Sequence, residues 1–151
     1  MQSGQAIELA LSGKQLLIFD FDGTIADTSP LHAAAFERVL LPYGITVDYQ
    51  AIAGMRTADA IMQCMEVHEL IPSPDQLRDM VAAKQELVRG MIQSQLLPSP
   101  GVDRYLRWAR KHYRLSLASS GSTGTVGLAL EKLGYCGWFD PMLCSEDVDN
   151  A

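Results

Sequence analysis

Apolar positions along the chain follow two rhythms. Short unbroken or nearly unbroken runs occur at Leu16 to Phe19, within Arg-Leu-Ser-Leu-Ala-Ser at 114–119, and from Pro141 to Cys144. Runs of this length bounded by turn residues predict strands, at about 15–21, 114–119 and 141–144. Elsewhere the apolar residues recur every three or four positions. From Pro30 onward Leu31, Ala34, Ala35, Val39 and Leu40 lie near one face of a helix that Pro42-Tyr43-Gly44 ends. Further helices fit residues 48–54, 57–69 and 75–95, with Thr57 as a plausible N-cap and Pro74-Asp75 as a start after the turn Pro72-Ser73-Pro74. Leu97-Pro98-Ser99-Pro100-Gly101 is rich enough in Pro and Gly to be a hinge. A helix over 101–112 follows, then the second strand, a small-residue loop from Ser119 to Gly124, and a helix over 123–134.

Strand, helix and strand in alternation predict a parallel α/β sheet. The helices between the first two strands make a separate unit. The expected division is an α/β core from residues 1–29 and 98–151, with a helical insertion over 30–97. Residues 1–14 read as a leader of uncertain order.

Composition narrows the picture. With 48% apolar residues, a chain of 151 can bury a core. A net charge of −6, from 12 basic and 18 acidic residues, argues against a nucleic-acid partner. No run approaches the roughly 18–20 apolar residues of a membrane span, and the N-terminus lacks the pattern of a signal peptide. Cys64, Cys136 and Cys144 are odd in number and widely spaced, which reads as free thiols in a reducing cytoplasm.

The candidate chemistry sits at the end of the first strand. Leu-Leu-Ile-Phe runs directly into Asp20 and Asp22, after which Gly23 and Thr24 break the pattern. Two carboxylates at the mouth of a buried strand are costly unless a cation or charged substrate neutralises them. Mg²⁺ suits such a place, since it takes one or two carboxylates and completes its shell with water and phosphate oxygens. If extension persists, period-2 geometry sends both side chains the same way. Ser119 marks the C-terminal end of the second strand, where α/β sheets place ligands. Its loop and the following helix N-terminus offer backbone N–H groups to an anion, although such turns also join strands to helices with no ligand at all.

Asp-Phe-Asp-Gly-Thr after an apolar strand resembles the first motif of the haloacid dehalogenase superfamily, and Leu-Ala-Ser-Ser at 117–120 resembles its second. The helical insertion is similar to the cap of the β-phosphoglucomutase-like branch, which includes sugar-phosphate phosphatases. The resemblance implies Asp20 as nucleophile through an aspartyl-phosphate and Asp22 as general acid/base. It also implies Mg²⁺ on Asp20 and the backbone carbonyl of Asp22, and phosphoryl contacts from the Ser119 hydroxyl and the Ser120 N–H. Asp27, Thr28 and His32 match the stretch after the first motif, where the residue at Asp27 is largely structural and His32 would help close the cap. Arg56, within Gly54-Met55-Arg56-Thr57, and Lys84 match cap positions that would face substrate. Each has an ordinary alternative as a core or solvated side chain.

The chain departs from the family pattern after Ser119. The superfamily uses a third-motif lysine and a fourth motif with acidic Mg²⁺ ligands, whereas Lys132 is the one lysine after Ser119. Glu146-Asp147 follow the third strand, so they read as a polar turn rather than that fourth motif. The family's sheet order also implies that a sheet of only the first three strands leaves strand one as an edge. A second copy or another strand-completing partner is therefore expected there, or else these residues are a fragment of a longer chain. The expectation is an Mg²⁺-dependent phosphatase of small phosphorylated metabolites, inactive if these missing groups are decisive. A phosphomutase and a non-catalytic phosphate-binding chain are the alternatives. A receiver-like phospho-acceptor domain is disfavoured by the long helical insertion.

Overall fold

The computed structural model describes residues 10–148, so most of the expected leader, and Asp149 to Ala151, lie outside the described residues. Three parallel strands form one sheet in the order β1-β2-β3, with β1 at Leu16–Phe19, β2 at Arg114–Ala118 and β3 at Met142–Leu143. Leu17 stands opposite Leu115 and Phe19 opposite Leu117, while Leu117 also faces Met142 on the other side. Only β2 is central, and its Leu115, Ser116 and Leu117 are buried. Ser116 is tolerated there because its hydroxyl donates to the Pro141 carbonyl at 2.7 Å.

β1 differs from the buried strand that its apolar run suggests. As an edge strand it leaves Leu16 42% and Ile18 67% exposed, while Leu17 and Phe19 turn toward the core. Extension also stops at Phe19 rather than reaching residue 21, so strand alternation does not carry through both aspartates.

The helices are α1 (Ser29–Leu40), α2 (Tyr49–Ile52), α3 (Thr57–Glu66), α4 (Pro74–Gln95), α5 (Val102–Ala109) and α6 (Thr123–Leu133). Pro30 lies in the first turn of α1, where its missing N–H removes no helical bond. α2 is shorter than expected, one turn capped by Asp48, whose carboxylate accepts the Gln50 N–H at 3.1 Å. α3 ends at Glu66, and Glu69 at φ 57° takes the chain out of helical geometry. Its cap position is Arg56, not Thr57. α4 begins with a reciprocal capping box. The Ser73 hydroxyl accepts from Gln76 N at 3.2 Å and the Gln76 side chain accepts from Ser73 N at 2.9 Å. α5 stops at Ala109 instead of 112, because the chain turns and Arg114 N bonds the Gln15 carbonyl at 3.0 Å to start β2.

Buried apolar residues form two clusters. One packs the sheet against α4, α5 and α6 and contains Phe21, Ile25, Ile92, Leu106, Leu117, Val126 and Tyr135. The other lies among the helices of the insertion and contains Phe36, Leu40, Ile52, Ile61, Met65 and Met80. α1 and α4 pass through both. Leu31 and Ala35 belong to the sheet cluster and Phe36, Val39 and Leu40 to the other, while α4 gives Met80 to one and Val88 and Ile92 to the other.

Because α4 crosses both clusters, its start matters to each. Ser73→Ala removes the cap acceptor and is expected to cost about 1 kcal/mol. Urea unfolding at fixed pH measures this as a lower midpoint with an unchanged slope.

Candidate active site

The segment after β1 folds into a tight turn that holds both aspartates. The Phe21 carbonyl accepts the N–H groups of Thr24, Ile25 and Ala26 at 3.2, 2.9 and 3.3 Å, and Gly23 N donates to the Ala26 carbonyl at 2.8 Å. Gly23 has φ +76°, a left-handed conformation that glycine adopts without steric strain. Phe21, Ile25 and Ala26 are buried and anchor the turn in the sheet cluster. Asp20 is left exposed at the strand end, whereas Asp22 is partly buried and lines a cavity between the turn, α1, α4 and the Ser119 loop.

The two carboxyl groups have different surroundings. Partial burial pushes the Asp20 carboxyl up. The Phe21 N–H and the Thr24 hydroxyl at 3.5 Å pull it back, the nearby Asp22 charge adds to the rise, and the net position is above the usual range. Burial would also raise Asp22, but the hydrogen bond from His32, the Thr28 hydroxyl and the charge of Lys84 together hold it below that range. Asp22 Oδ1 accepts from the Thr28 hydroxyl and lies 3.5 Å from His32 Nε2.

Behind His32 stands Lys84. Its Nζ is 2.7 Å from His32 Nδ1, 3.4 Å from Thr57 Oγ1 and 4.5 Å from the centre of the Phe36 ring. Only 4% of Lys84 is exposed, so it is no solvated surface residue. Burial lowers its ammonium from 10.5 to about 8, with Asp22 pulling the other way. A protonated Lys84 makes Nδ1 the acceptor, which places the ring proton of neutral His32 on Nε2, facing Asp22. Lys84, His32 and Asp22 therefore form a line from α4 through α1 to the turn after β1.

The second motif approaches the same place. Ser119 N donates to the Leu143 carbonyl at 2.9 Å, and its Oγ accepts the Gly121 N–H at 3.0 Å. A Cβ on Gly121 would stand 3.0 Å from Val126 Cγ2, 3.2 Å from Ser119 Oγ and 3.8 Å from Asp22 Oδ2. The Ser119 hydroxyl and the free oxygen of Asp22 therefore converge on a point that only glycine leaves open. Ser122 caps α6, its Oγ accepting Thr125 N at 3.4 Å. Two adjoining cavities share Asp22, His32, Thr57, Lys84 and Gly121 in their walls, and the second also has Ser120.

Of the residues expected from the sequence, Asp22, His32, Lys84, Ser119 and Ser120 are brought together, with Asp20 at the adjacent strand end. Arg56 is not among the cavity walls. Its guanidinium donates to the Val148 carbonyl, tying the loop before α3 to the segment after β3. Glu146 and Asp147 lie in a 3-10 turn. Glu146 accepts from Thr123 N and Oγ1 at 3.0 Å each, and Asp147 accepts from Cys144 N at 2.8 Å, so both carboxylates are engaged locally. Sequence reasoning missed Thr28 as the partner of Asp22, Thr57 as the partner of Lys84, and the space at Gly121. Thr28 stands next to the Ser29-Pro30 helix start, a polar residue where a cap was needed. Its burial to 1% could be inferred only from the fold.

Comparison with known proteins identifies the family and the fold. A family model described as haloacid dehalogenase-like hydrolase matches residues 17–151. The chain is 33% identical over 134 residues to a fructose-1-phosphate phosphatase of Escherichia coli (strain K12), covering 87% of this chain and 70% of that protein. It is 29% identical over 141 residues to a phosphorylated carbohydrates phosphatase of Thermotoga maritima, covering 91% and 64%. Among solved structures, a β-phosphoglucomutase from Clostridium difficile superposes with a TM-score of 0.78 at 22% identity, covering 91% of this chain and 64% of that one. The phosphate complex of CbbY from Rhodobacter sphaeroides gives 0.77 at 22%, covering 90% and 65%. The chain thus spans about two thirds of the length of the proteins it matches.

The buried Lys84 has a measurable consequence. Its folded value of about 8 lies below the usual 10.5, so between these values the unfolded chain holds more protons than the folded one. Stability should therefore rise with pH across that window, by at most on the order of 3 kcal/mol. Lys84→Met should lose this rise. Urea midpoints for both proteins between pH 7.5 and pH 10 measure the difference.

Proposed function

Because the chain belongs to the haloacid dehalogenase-like hydrolases, we propose that it acts on phosphate monoesters of small sugars through an aspartyl-phosphate on Asp20. The observation that carries the reading is the convergence of Asp22 and the Ser119 hydroxyl at Gly121, beside the exposed Asp20. In the first step an Asp20 oxygen attacks phosphorus, the ester P–O bond breaks, and Asp22, ionised at rest but protonated as the negative charge of the phosphate arrives beside it, gives that proton to the leaving alkoxide. In the second step Asp22 accepts a proton from water as the water oxygen attacks the aspartyl-phosphate. Inorganic phosphate leaves and Asp20 is regenerated. The Ser119 oxygen already accepts the Gly121 N–H, so its own proton is available to a phosphoryl oxygen. The Ser120 N–H and the start of α6 add donors on the same side.

Thr28 and the His32–Lys84 pair orient Asp22. Lys84 reaches the reacting centre through His32, so it is a positioning residue here. Arg56 is tied to the Val148 carbonyl through one of its guanidinium donors, and its role toward the far end of a substrate would fall to the others. The named phosphatase relatives act on fructose 1-phosphate and on phosphorylated carbohydrates, which supports a sugar phosphate as substrate class.

The donor set fits Mg²⁺. Among the described residues no group of three or more His, Cys, Asp or Glu side chains is placed to hold a metal. A hard ion would take Asp20 and the Asp22 carbonyl and otherwise rely on water and phosphate oxygens, as Mg²⁺ does. The cation would supply neutralising charge to the phosphoryl oxygens. It would also relieve the pressure that burial and Asp22 exert on Asp20. The three unpaired cysteines, with Cys144 buried among apolar residues, support a reducing, cytoplasmic setting.

Among the described residues no lysine acts on the Asp20 carboxyl, and Lys132 is exposed in the last turn of α6. Loss of one such electrostatic group lowers rates on the order of 10²–10³, and the acidic fourth motif is not among these residues either, so little turnover is expected. Phosphate release from fructose 1-phosphate with Mg²⁺ should exceed background for this chain and fall to background for Asp20→Asn. Equal rates in the two would favour phosphate binding without turnover. With glucose 1-phosphate, glucose 6-phosphate as product would instead favour a phosphomutase.

We also propose that the open edge of β1 takes a further strand, with a second copy of this chain as the partner to test first. The exposed Leu16 and Ile18, on a strand that among the described residues pairs only with β2, support this. Light scattering of this chain should show a dimer, and Leu16→Lys with Ile18→Lys should return it to a monomer. A monodisperse monomer before substitution would sink the idea.

A further inference from the structure

The charge of this chain is unevenly placed. Five of its 12 basic residues, Arg104, Arg107, Arg110, Lys111 and Arg114, fall within 11 positions that contain no acidic residue. The remainder carries all 18 carboxylates against seven cations, a net charge of −11. All five basic residues are exposed. They occupy the outer side of α5, the turn that follows it and the first position of β2, while Val102, Leu106 and Ala109 face the core.

Part of this cluster is held in place. The Arg110 guanidinium lies 4.3 Å from the centre of the Trp138 ring and that of Arg107 lies 5.4 Å from it. Trp138 is itself partly buried against the sheet cluster. Arg107 Nε also donates to Asp103 Oδ2 at 2.9 Å, and Asp103 Oδ1 accepts from the hydroxyl of the buried Tyr135 at 3.3 Å. Since Nε makes that bond, the terminal amino groups of Arg107 remain for an incoming oxyanion. Its side chain is still 62% exposed. Ordering guanidinium groups before a partner arrives lowers the entropy lost on binding. Complementing the helix dipole accounts for cations in the last turn of α5 and just beyond. It accounts for neither Arg104 in the first turn nor Arg114 on the strand.

We propose that this basic face of α5 is a docking surface for a short acidic segment of a partner protein. Carboxylates match the forked donors of Arg104, Arg107 and Arg110. The size of the patch selects a short partner, since α5 is eight residues long, about 12 Å. A nucleic-acid duplex carries a charge about every 1.7 Å and would run past the patch onto a surface of net −11. Trp138 is covered by two arginines, so its ring offers no open platform for base stacking. A peptide with a few clustered Asp or Glu residues stays within the patch. Steering toward it acts within a Debye length of about 8 Å at physiological salt.

The test is fluorescence anisotropy with a fluorescein-labelled octaglutamate peptide on the whole chain. Saturable binding is expected at about 50 mM salt and about tenfold weaker binding at about 300 mM. Arg104→Glu with Lys111→Glu, both outside the Trp138 stack, should weaken binding by about tenfold or more. Arg78→Glu, an equal charge change per site on α4, should alter it by less than about twofold. Arg104→Gln with Lys111→Gln, a milder pair, repeats the comparison if the reversals disturb folding as judged by circular dichroism. Absence of saturable binding, an equal loss in Arg78→Glu, or tighter binding of a labelled DNA duplex than of the peptide would each overturn the proposal.

Discussion

A buried ammonium is the constraint from which the site takes its form. Lys84 is enclosed by the Phe36 ring, the Thr57 hydroxyl and His32, and among the described residues no carboxylate is in direct contact with it. An isolated buried charge is strongly disfavoured, so each of these partners must be present and aimed correctly. The carboxylate that compensates it electrostatically is Asp22, one imidazole away. Meeting the needs of Lys84 therefore fixes the ring of His32, and the ring and Thr28 together fix one oxygen of Asp22. The other oxygen is left toward Gly121 and Ser119. A carboxylate held on one side and open on the other, as the acid/base role proposed for Asp22 requires, follows from a packing problem in the neighbouring helices.

Much of this was legible in the sequence because it depended on local signals. The apolar run into Asp20-Phe21-Asp22-Gly23-Thr24 marks a strand ending in a turn, and Gly23 has the left-handed conformation such a turn uses. Ser73-Pro74-Asp75-Gln76 carries its capping box openly. The order of strands and helices fixes a parallel sheet through the length of its connections. What could not be read were features made by tertiary approach. The two clean periods of the chain show neither that Thr57 faces Lys84 instead of capping α3 nor that Arg56 reaches Val148. The burial of β1 was overestimated for a related reason. An apolar run reports what a strand can bury, while its place in the sheet decides what it does bury.

The same distinction applies to charge. A net value of −6 describes solubility, yet the molecule has one strongly basic face and a strongly acidic remainder. Glu146 shows how such charges are used locally, since its carboxylate satisfies the first donors of α6 at Thr123. That helix start is therefore partly neutralised before any phosphate reaches the Ser119 loop.

α4 joins the two apolar clusters, with Met80 in one, Val88 and Ile92 in the other, and Lys84 midway between them. Met80 stands one helical turn from Lys84 and shares a cluster with the Phe36 ring beneath the ammonium. A void or overpacked methyl in that distant cluster would shift the ammonium as well as lower stability. At Asp22 such a shift would register as a changed proton affinity. In this chain the shape of an apolar interior and the chemistry of a carboxylate are two readings of one helix.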